Sequence, residues 1–402
     1  MSAQPVAGSD VTDVDIPASV GLGDSSVEAR TFAWSASAPD EPMRRFVAGL
    51  GHVLAAHGYT DRGAPGPDVQ VVFHHLDPER PRAYRRRSAP TFVVALVSLP
   101  DPPGDLLAAG YPLLVRGLAN LCLIVSARAG GPVAQFVTLE QGTYAVEHPG
   151  VAGDPGTDAA FYEQVFARLE PLAASRLVIA NEWHTDLPRE LWDGDEQTGQ
   201  IRRAGEHLDA LDLLPSAFPI EDILSERDLR HVKLLYGIGG LSYGNVSARR
   251  QPPAESAYGP EFWMSASGVD KGALHDVGRH ILLVRGFDEA RGCMVLSVPP
   301  DVTPNRVSVD AIEHWMIYRE HPEVGAILHA HTWMDGVEST QINYPCGTVE
   351  LAGAVADLVR RAPDPGRAVV GQRNHGLTIT GASLDEIFAR VDGKLVRTVP
   401  MD

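Results

Sequence analysis

The sequence predicts an α/β protein in two units, an N-terminal α+β domain followed by an α/β domain built on a mostly antiparallel sheet. Three observations lead there. The chain has 402 residues, more than one hydrophobic core comfortably serves. Apolar runs of helical and of strand period alternate along both halves. The chain also changes character at residues 215–225, where Pro215 and Pro219 punctuate it and a new series of elements opens.

The elements follow in order. Residues 1–28, rich in Ser, Asp, Val, Gly and Pro, read as a disordered leader. An N-terminal α+β domain then spans 29–193. In it Phe46, Leu50, Val53 and Leu54 fall at helical spacing, and Gly58 ends that helix. Runs 69–73 and 91–99 are β-rich and flank an exposed loop carrying Arg80, Arg82, Arg85, Arg86 and Arg87. An apolar stretch at 113–125, strand-like runs at 133–137 and 176–180, and a Gly/Pro loop at 149–158 complete this domain. Residues 194–220 form a connecting segment with a charged helix over 194–212. The second unit, 221–402, opens on Ser225, a helix N-cap with Asp228 three residues on. Short β-runs lie at 241–247, 262–265, 280–284 and 294–298, and a helix covers 309–320. A strand at 325–331, a helix at 347–361, β-runs at 368–373 and 377–380 and a helix from Ser383 end the chain.

Composition narrows the function. The chain is 44% apolar and 21% charged, ordinary for a globular protein. A formal net charge of −18 with a pI near 5.2 argues against nucleic acid and anionic membranes as partners. Cys122, Cys293 and Cys346 lie far apart, fit no CxxC spacing and read as reduced thiols. The first twenty residues lack the basic start and apolar core of a signal peptide. The apolar stretch at 111–125 is interrupted by Arg116 and Asn120 and is too short to span a bilayer. The expectation is a cytoplasmic protein acting on a small molecule. Lys233, Lys271 and Lys394 are the only lysines, which leaves few candidates for a Schiff base.

The strongest chemical signal is Ala326-Ile-Leu-His-Ala-His331. In a strand, residues i and i+2 share a face, so His329 and His331 can converge on one ion. A third imidazole, His375, follows in Val369-Val-Gly-Gln-Arg-Asn-His-Gly376, where an apolar strand again ends in glycine. Three histidines leave open positions on a divalent metal, as catalysis requires. The adjacent His74 and His75 would point to opposite faces. His184, His314 and His321 read as solvated or packing residues. Two Gly/Ser-rich segments, 239–249 and 264–269, could offer backbone N–H groups to a phosphate or carboxylate.

Taken in order, GLSYGNVSAR, SASG, PEVGAILHAH and RNHGLTITG resemble the class II aldolase/adducin family over roughly the last 180 residues. The resemblance implies an α/β/α sandwich with a central antiparallel sheet, and a homotetramer with active sites at subunit interfaces. It makes His329, His331 and His375 ligands of a divalent metal, usually zinc, with iron or manganese as alternatives. Gly244, Asn245, Ser267, Gly268 and Ser308 match the family's phosphate-binding positions. Where the aldolases carry Ser-Ser-Glu, this chain reads Ser308-Val309-Asp310. A serine contact is lost and the acid/base carboxylate is one methylene shorter, a change that matters to proton transfer. Asp310 could serve as acid/base or cap the helix. Glu313, one turn on, could replace it or face solvent. Only 27 residues follow His375, fewer than the tail that closes the site in sugar phosphate aldolases.

The implied function is a metal-dependent lyase that cleaves or forms a carbon–carbon bond through an enediolate. The same three histidines would also suit an iron-dependent oxygenase, an epimerase or a dehydratase. An adducin-like assembly module without catalysis is the third alternative, and the retained histidine set argues against it.

Overall fold

The computed structural model describes residues 30–35, 40–88, 91–128, 131–138, 142–215, 220–235 and 242–401. The leader expected at 1–28, Pro219 and the first residues of the 239–249 segment lie outside the described residues.

The N-terminal unit mixes strands and helices. Its sheet runs in the order β2 (Thr60–Asp61), β1 (Thr31–Trp34), β3 (Val71–His75), β4 (Phe92–Leu99), β5 (Leu121–Arg128), β6 (Gly131–Thr138), β7 (Thr143–Glu147). The first five strands pair in parallel, and β6 and β7 add an antiparallel edge. Helices α1 (Glu41–Ala56) and α3 (Pro155–Ala174) cover one face, burying Phe46, Leu50, Phe161 and Val165 against Phe73, Leu96 and Phe136. On the other face α2 (Leu106–Gly117) buries Tyr111 and Leu114 against Val93 and Ile124. The apolar stretch at 113–125 thus divides into the end of α2 and the start of β5, with Leu118 in a left-handed cap between them (φ 51°).

The C-terminal unit is an α/β/α sandwich on an eight-stranded sheet. Its order is β16 (Val369–Gln372), β17 (Gly376–Gly381), β15 (Ala326–Ala330), β9 (Asn245–Arg249), β12 (Phe262–Ser265), β13 (Ile281–Asp288), β14 (Cys293–Ser297), β8 (Asn181–His184). Every pairing is antiparallel except β14 with β8. Helices α4 (Glu196–Ala210) and α9 (Leu384–Val391) lie on one face, and α7 (Ala311–Glu320) and α8 (Val349–Arg361) on the other. A ribbon of β10 (Glu255–Ser256) and β11 (Gly259–Pro260) flanks α7.

Packing divides the chain differently from the expected boundaries at 193 and 220. The run at 176–180 makes only a bridge from Leu177 to Thr348, and the strand forms one step later as β8, at the edge of the C-terminal sheet. The helix expected as a connector, α4, sends Ile201, Ala204 and Leu208 into the C-terminal core. Conversely, α5 (Ile220–Ile223) and α6 (Glu226–Leu235), expected to open the second unit, place Ile220, Leu224 and Val232 on the N-terminal core. Arg116 of α2 pairs with the buried Asp228 of α6 at 2.7 Å. An amphipathic helix announces that it needs cover, and its pattern does not say which sheet supplies it. None of the described helices is long and apolar enough to cross a membrane.

Candidate metal centre

Strand β15 runs through the middle of the C-terminal sheet, and its alternation carries His329 to the face covered by α7. There His329 lies opposite Asn245 of β9 on one side and Thr378 of β17 on the other. His375 arrives by a tight hairpin. Gln372 pairs with Gly376, so Arg373, Asn374 and His375 form a three-residue loop. Asn374 adopts a left-handed conformation (φ 58°) that its short side chain tolerates. Two glycines let neighbouring backbone press against the histidine strand. A Cβ on Gly376 would lie 2.3 Å from the Ala330 carbonyl oxygen, and one on Gly244 (φ 72°) would lie 2.5 Å from that of His329.

His329, His331 and His375 therefore meet, each offering a ring nitrogen within 4.8 Å of the others. His329 Nδ1 donates to the Leu377 carbonyl at 3.1 Å, which puts its proton there and leaves Nε2 as a bare lone pair. That Nε2 is buried and finds no partner. The Nε2 atoms of His331 and His375 face each other at 3.0 Å. Nitrogens bound at about 2.0–2.1 Å to one tetrahedral ion lie about 3.3 Å apart, so the residues fit a divalent cation with little adjustment. Burial pushes His329 down to about 4 and His375 to about 3, and burial with the two neighbouring rings holds His331 well below its ordinary value. At neutral pH all three are unprotonated donors, the state that metal binding needs. His331, 9% exposed, is the ring nearest solvent, and Tyr243 lies 5.4 Å from it, ring to ring.

The two carboxylates beside the centre differ in their partners. Asp310 stands at the start of α7, yet its side chain makes no cap bond. It accepts instead from Asn245 Nδ2 at 2.7 Å, and Ser308 Oγ also receives that amide at 3.0 Å. Burial raises the Asp310 pKa, opposed by the charge of His375 if that ring is protonated. Glu313 is buried rather than solvated: it accepts from Thr378 Oγ1 at 2.5 Å and from Gln372 Nε2 at 2.8 Å. The same Gln372 amide lies 3.3 Å from His329 Nδ1. Glu313 thus sits behind the histidine.

Burial, with the charge of Asp310 added, pushes Glu313 up to about 8. A carboxyl whose folded pKa lies above its unfolded value of 4.5 contributes stability at low pH that is lost as pH rises to about 8. Glu313→Gln is therefore expected to gain stability relative to the wild type between pH 4.5 and 8, at up to about 1.4 kcal/mol per pH unit. Urea midpoints of the two proteins at pH 5 and pH 8 measure this, and parallel pH profiles would contradict it.

Of the loop positions assigned by resemblance, Gly244, Asn245 and Ser308 stand at this centre. Gly244 and Asn245 line it directly, and Ser308 joins Asn245 as described. The turn at Ser267 and Gly268 (φ 69°) is tied to the strand before Ser308 by Ser267 N donating to Arg306 O at 2.9 Å. Val309, standing for the missing serine, packs on Gly347. Among the other histidines, His314 is a core residue bonded to Ser247 Oγ at 2.7 Å, and His184 pairs with Glu182 on β8. Sequence reasoning missed Gln372, although the strand that delivers His375 contains it. Lys271, whose ammonium bonds the carbonyl of Ser242 two residues before Gly244, is also missed, and no motif in the sequence singles it out beyond the scarcity of lysine.

Residues 230–337 match the family model described as Class II Aldolase and Adducin N-terminal domain. No curated protein matches the chain. Among solved structures, L-fuculose 1-phosphate aldolase is similar at 17% identity, covering 50% of this chain and 81% of that one with a TM-score of 0.33. YgbL from Klebsiella pneumoniae is similar at 16% identity, with coverage of 49% and 84% and a TM-score of 0.32. An aldolase II superfamily protein from Pseudomonas syringae is similar at 16% identity, with coverage of 51% and 72% and a TM-score of 0.32.

Proposed function

We propose that the class II aldolase and adducin domain of this chain works as a divalent-metal-dependent lyase, making or breaking a carbon–carbon bond in a small hydroxy-carbonyl substrate. One observation carries the reading. Three buried, unprotonated imidazoles meet with an unpartnered Nε2 among them, beside a carboxylate whose hold on protons burial has strengthened. His329, His331 and His375 would hold the ion, zinc in our reading, since neutral nitrogen donors suit it. When bound, it supplies Lewis acidity toward substrate oxygens.

The chain's own residues then do the following. Asp310 takes a proton at a carboxylate oxygen and returns it, a task suited to a group whose pKa has moved toward neutrality. Asn245 and Ser308 hold that carboxylate in place through their hydrogen bonds. Glu313 keeps its proton at neutral pH and fixes Thr378 and the Gln372 amide behind His329, so it acts on orientation rather than on substrate.

The test is chemical. Purified protein should contain about one zinc per chain and cleave some member of a panel of hydroxy-carbonyl acids and phosphates. It should lose that activity to a chelator and regain it with zinc. Full cleavage by metal-free protein would sink the reading, and bound iron with oxygen uptake would replace it with an oxygenase.

A further inference from the structure

Lys271 opens a short 3-10 helix three residues beyond Gly268, and it is only 4% exposed. Its ammonium donates to the Ser242 carbonyl at 2.7 Å, and its backbone N–H donates to Ser242 Oγ at 2.9 Å. Ser242 leads straight into Tyr243 and Gly244, the residues that press on His331 and on the backbone of His329. The ammonium is thus pinned to the segment that walls the three-histidine centre. Its charge acts on His329 and His331, and that of Asp310 acts on it.

The ammonium has three hydrogens to donate, and its one hydrogen-bond partner among the described residues is the Ser242 carbonyl. It makes no ion pair with any described carboxylate. A buried cation without a counter-charge is costly, and such groups persist where something of opposite sign joins them. Burial lowers its pKa to about 8, which still leaves it mostly charged at neutral pH. A divalent ion on three neutral imidazoles would add two positive charges, and Asp310 offsets one. The centre as a whole is short of negative charge.

We propose that Lys271 is a binding residue that supplies the counter-charge for an anionic group, a carboxylate or a phosphate, on the molecule bound at the three-histidine centre. This rests on the reading of that centre as a metal and substrate site. Among the described residues the ammonium keeps two donors without a partner for such an oxyanion, while the Ser242 bond holds its position.

The experiment uses the full-length, zinc-loaded protein, with inorganic phosphate and glycolate as anionic probes and glycolaldehyde as the uncharged one, titrated by calorimetry. Lys271→Met is expected to weaken whichever anion binds the wild type by at least about tenfold, with zinc content and glycolaldehyde binding unchanged. The anion that loses more identifies the group recognised. Lys271→Gln, which keeps a donor for Ser242 without the charge, should behave like Lys271→Met, and it carries the test if the methionine variant fails to fold. Undiminished anion affinity in a folded, zinc-replete variant overturns the proposal. So does a borohydride-trapped adduct of glycolaldehyde on Lys271, which would make the residue a nucleophile instead. A failed metal reading would appear separately, as absent zinc in the wild type.

Discussion

His329→Ala is expected to yield a folded protein that no longer retains a stoichiometric divalent ion, with affinity lowered by more than about 100-fold and any lyase activity lost with it. The size follows from how this imidazole is held. Its Nδ1 proton is committed to Leu377 O, its ring is fully buried, and its Nε2 finds no partner. No other described side chain is placed to substitute. Changes to groups that merely orient a ligand already cost about 10- to 100-fold in metal affinity, so removing the ligand itself should cost more. Gln372→Ala, which removes only the amide behind the ring, should fall in that smaller range. Elemental analysis and competition against a chelator of known affinity measure both. Stoichiometric zinc in His329→Ala would mean that the three rings are a packed core cluster and not a binding site.

How much of this is legible in the sequence follows from the reach of each signal. The histidine triad is readable because its causes are local. A period of two puts His329 and His331 on one face, and Asn374-His375-Gly376 spells a left-handed residue, an imidazole and a close backbone approach within three positions. The fate of Glu313 is not readable. Most of α7 is buried, with Ala311, Ile312, Glu313, His314, Trp315, Ile317 and Tyr318 all inside, so there is no polar stripe from which to tell inward from outward. Whether Asp310 caps the helix depends on Asn245, which is 65 residues away and competes for the carboxylate. The parallel pairing of β3 with β4 is hidden for a related reason. Parallel strands usually advertise themselves by an intervening helix, but β3 and β4 are joined by the Arg-rich loop alone. Long-range choices of partner leave no mark on a window of twenty residues.

Asp310→Asn is expected to keep zinc while losing turnover by about 10²- to 10⁴-fold, the range in which a positioned proton-transfer group contributes. The change is nearly isosteric, and asparagine can still bond Asn245 once the amides reorient, so neither the start of α7 nor the histidine set should move. What disappears is the charge and the capacity to carry a proton. Asp310 is buried, held by Asn245 beside Ser308, and electrostatically coupled to His375, so the site has no other described carboxylate in an equivalent place. Glu313 is the rival, and its position separates the two. Its oxygens are occupied by Thr378 and Gln372 on the far side of His329, so Glu313→Gln should lower turnover by about tenfold, the low end of what a ligand-orienting group contributes. Deuterium exchange at the carbon beside the carbonyl of dihydroxyacetone phosphate or glycolaldehyde, followed by NMR, reports the proton step without knowledge of the natural substrate. If Asp310→Asn exchanges at the wild-type rate while Glu313→Gln does not, the acid/base role belongs to Glu313 and Asp310 becomes the residue that merely orients.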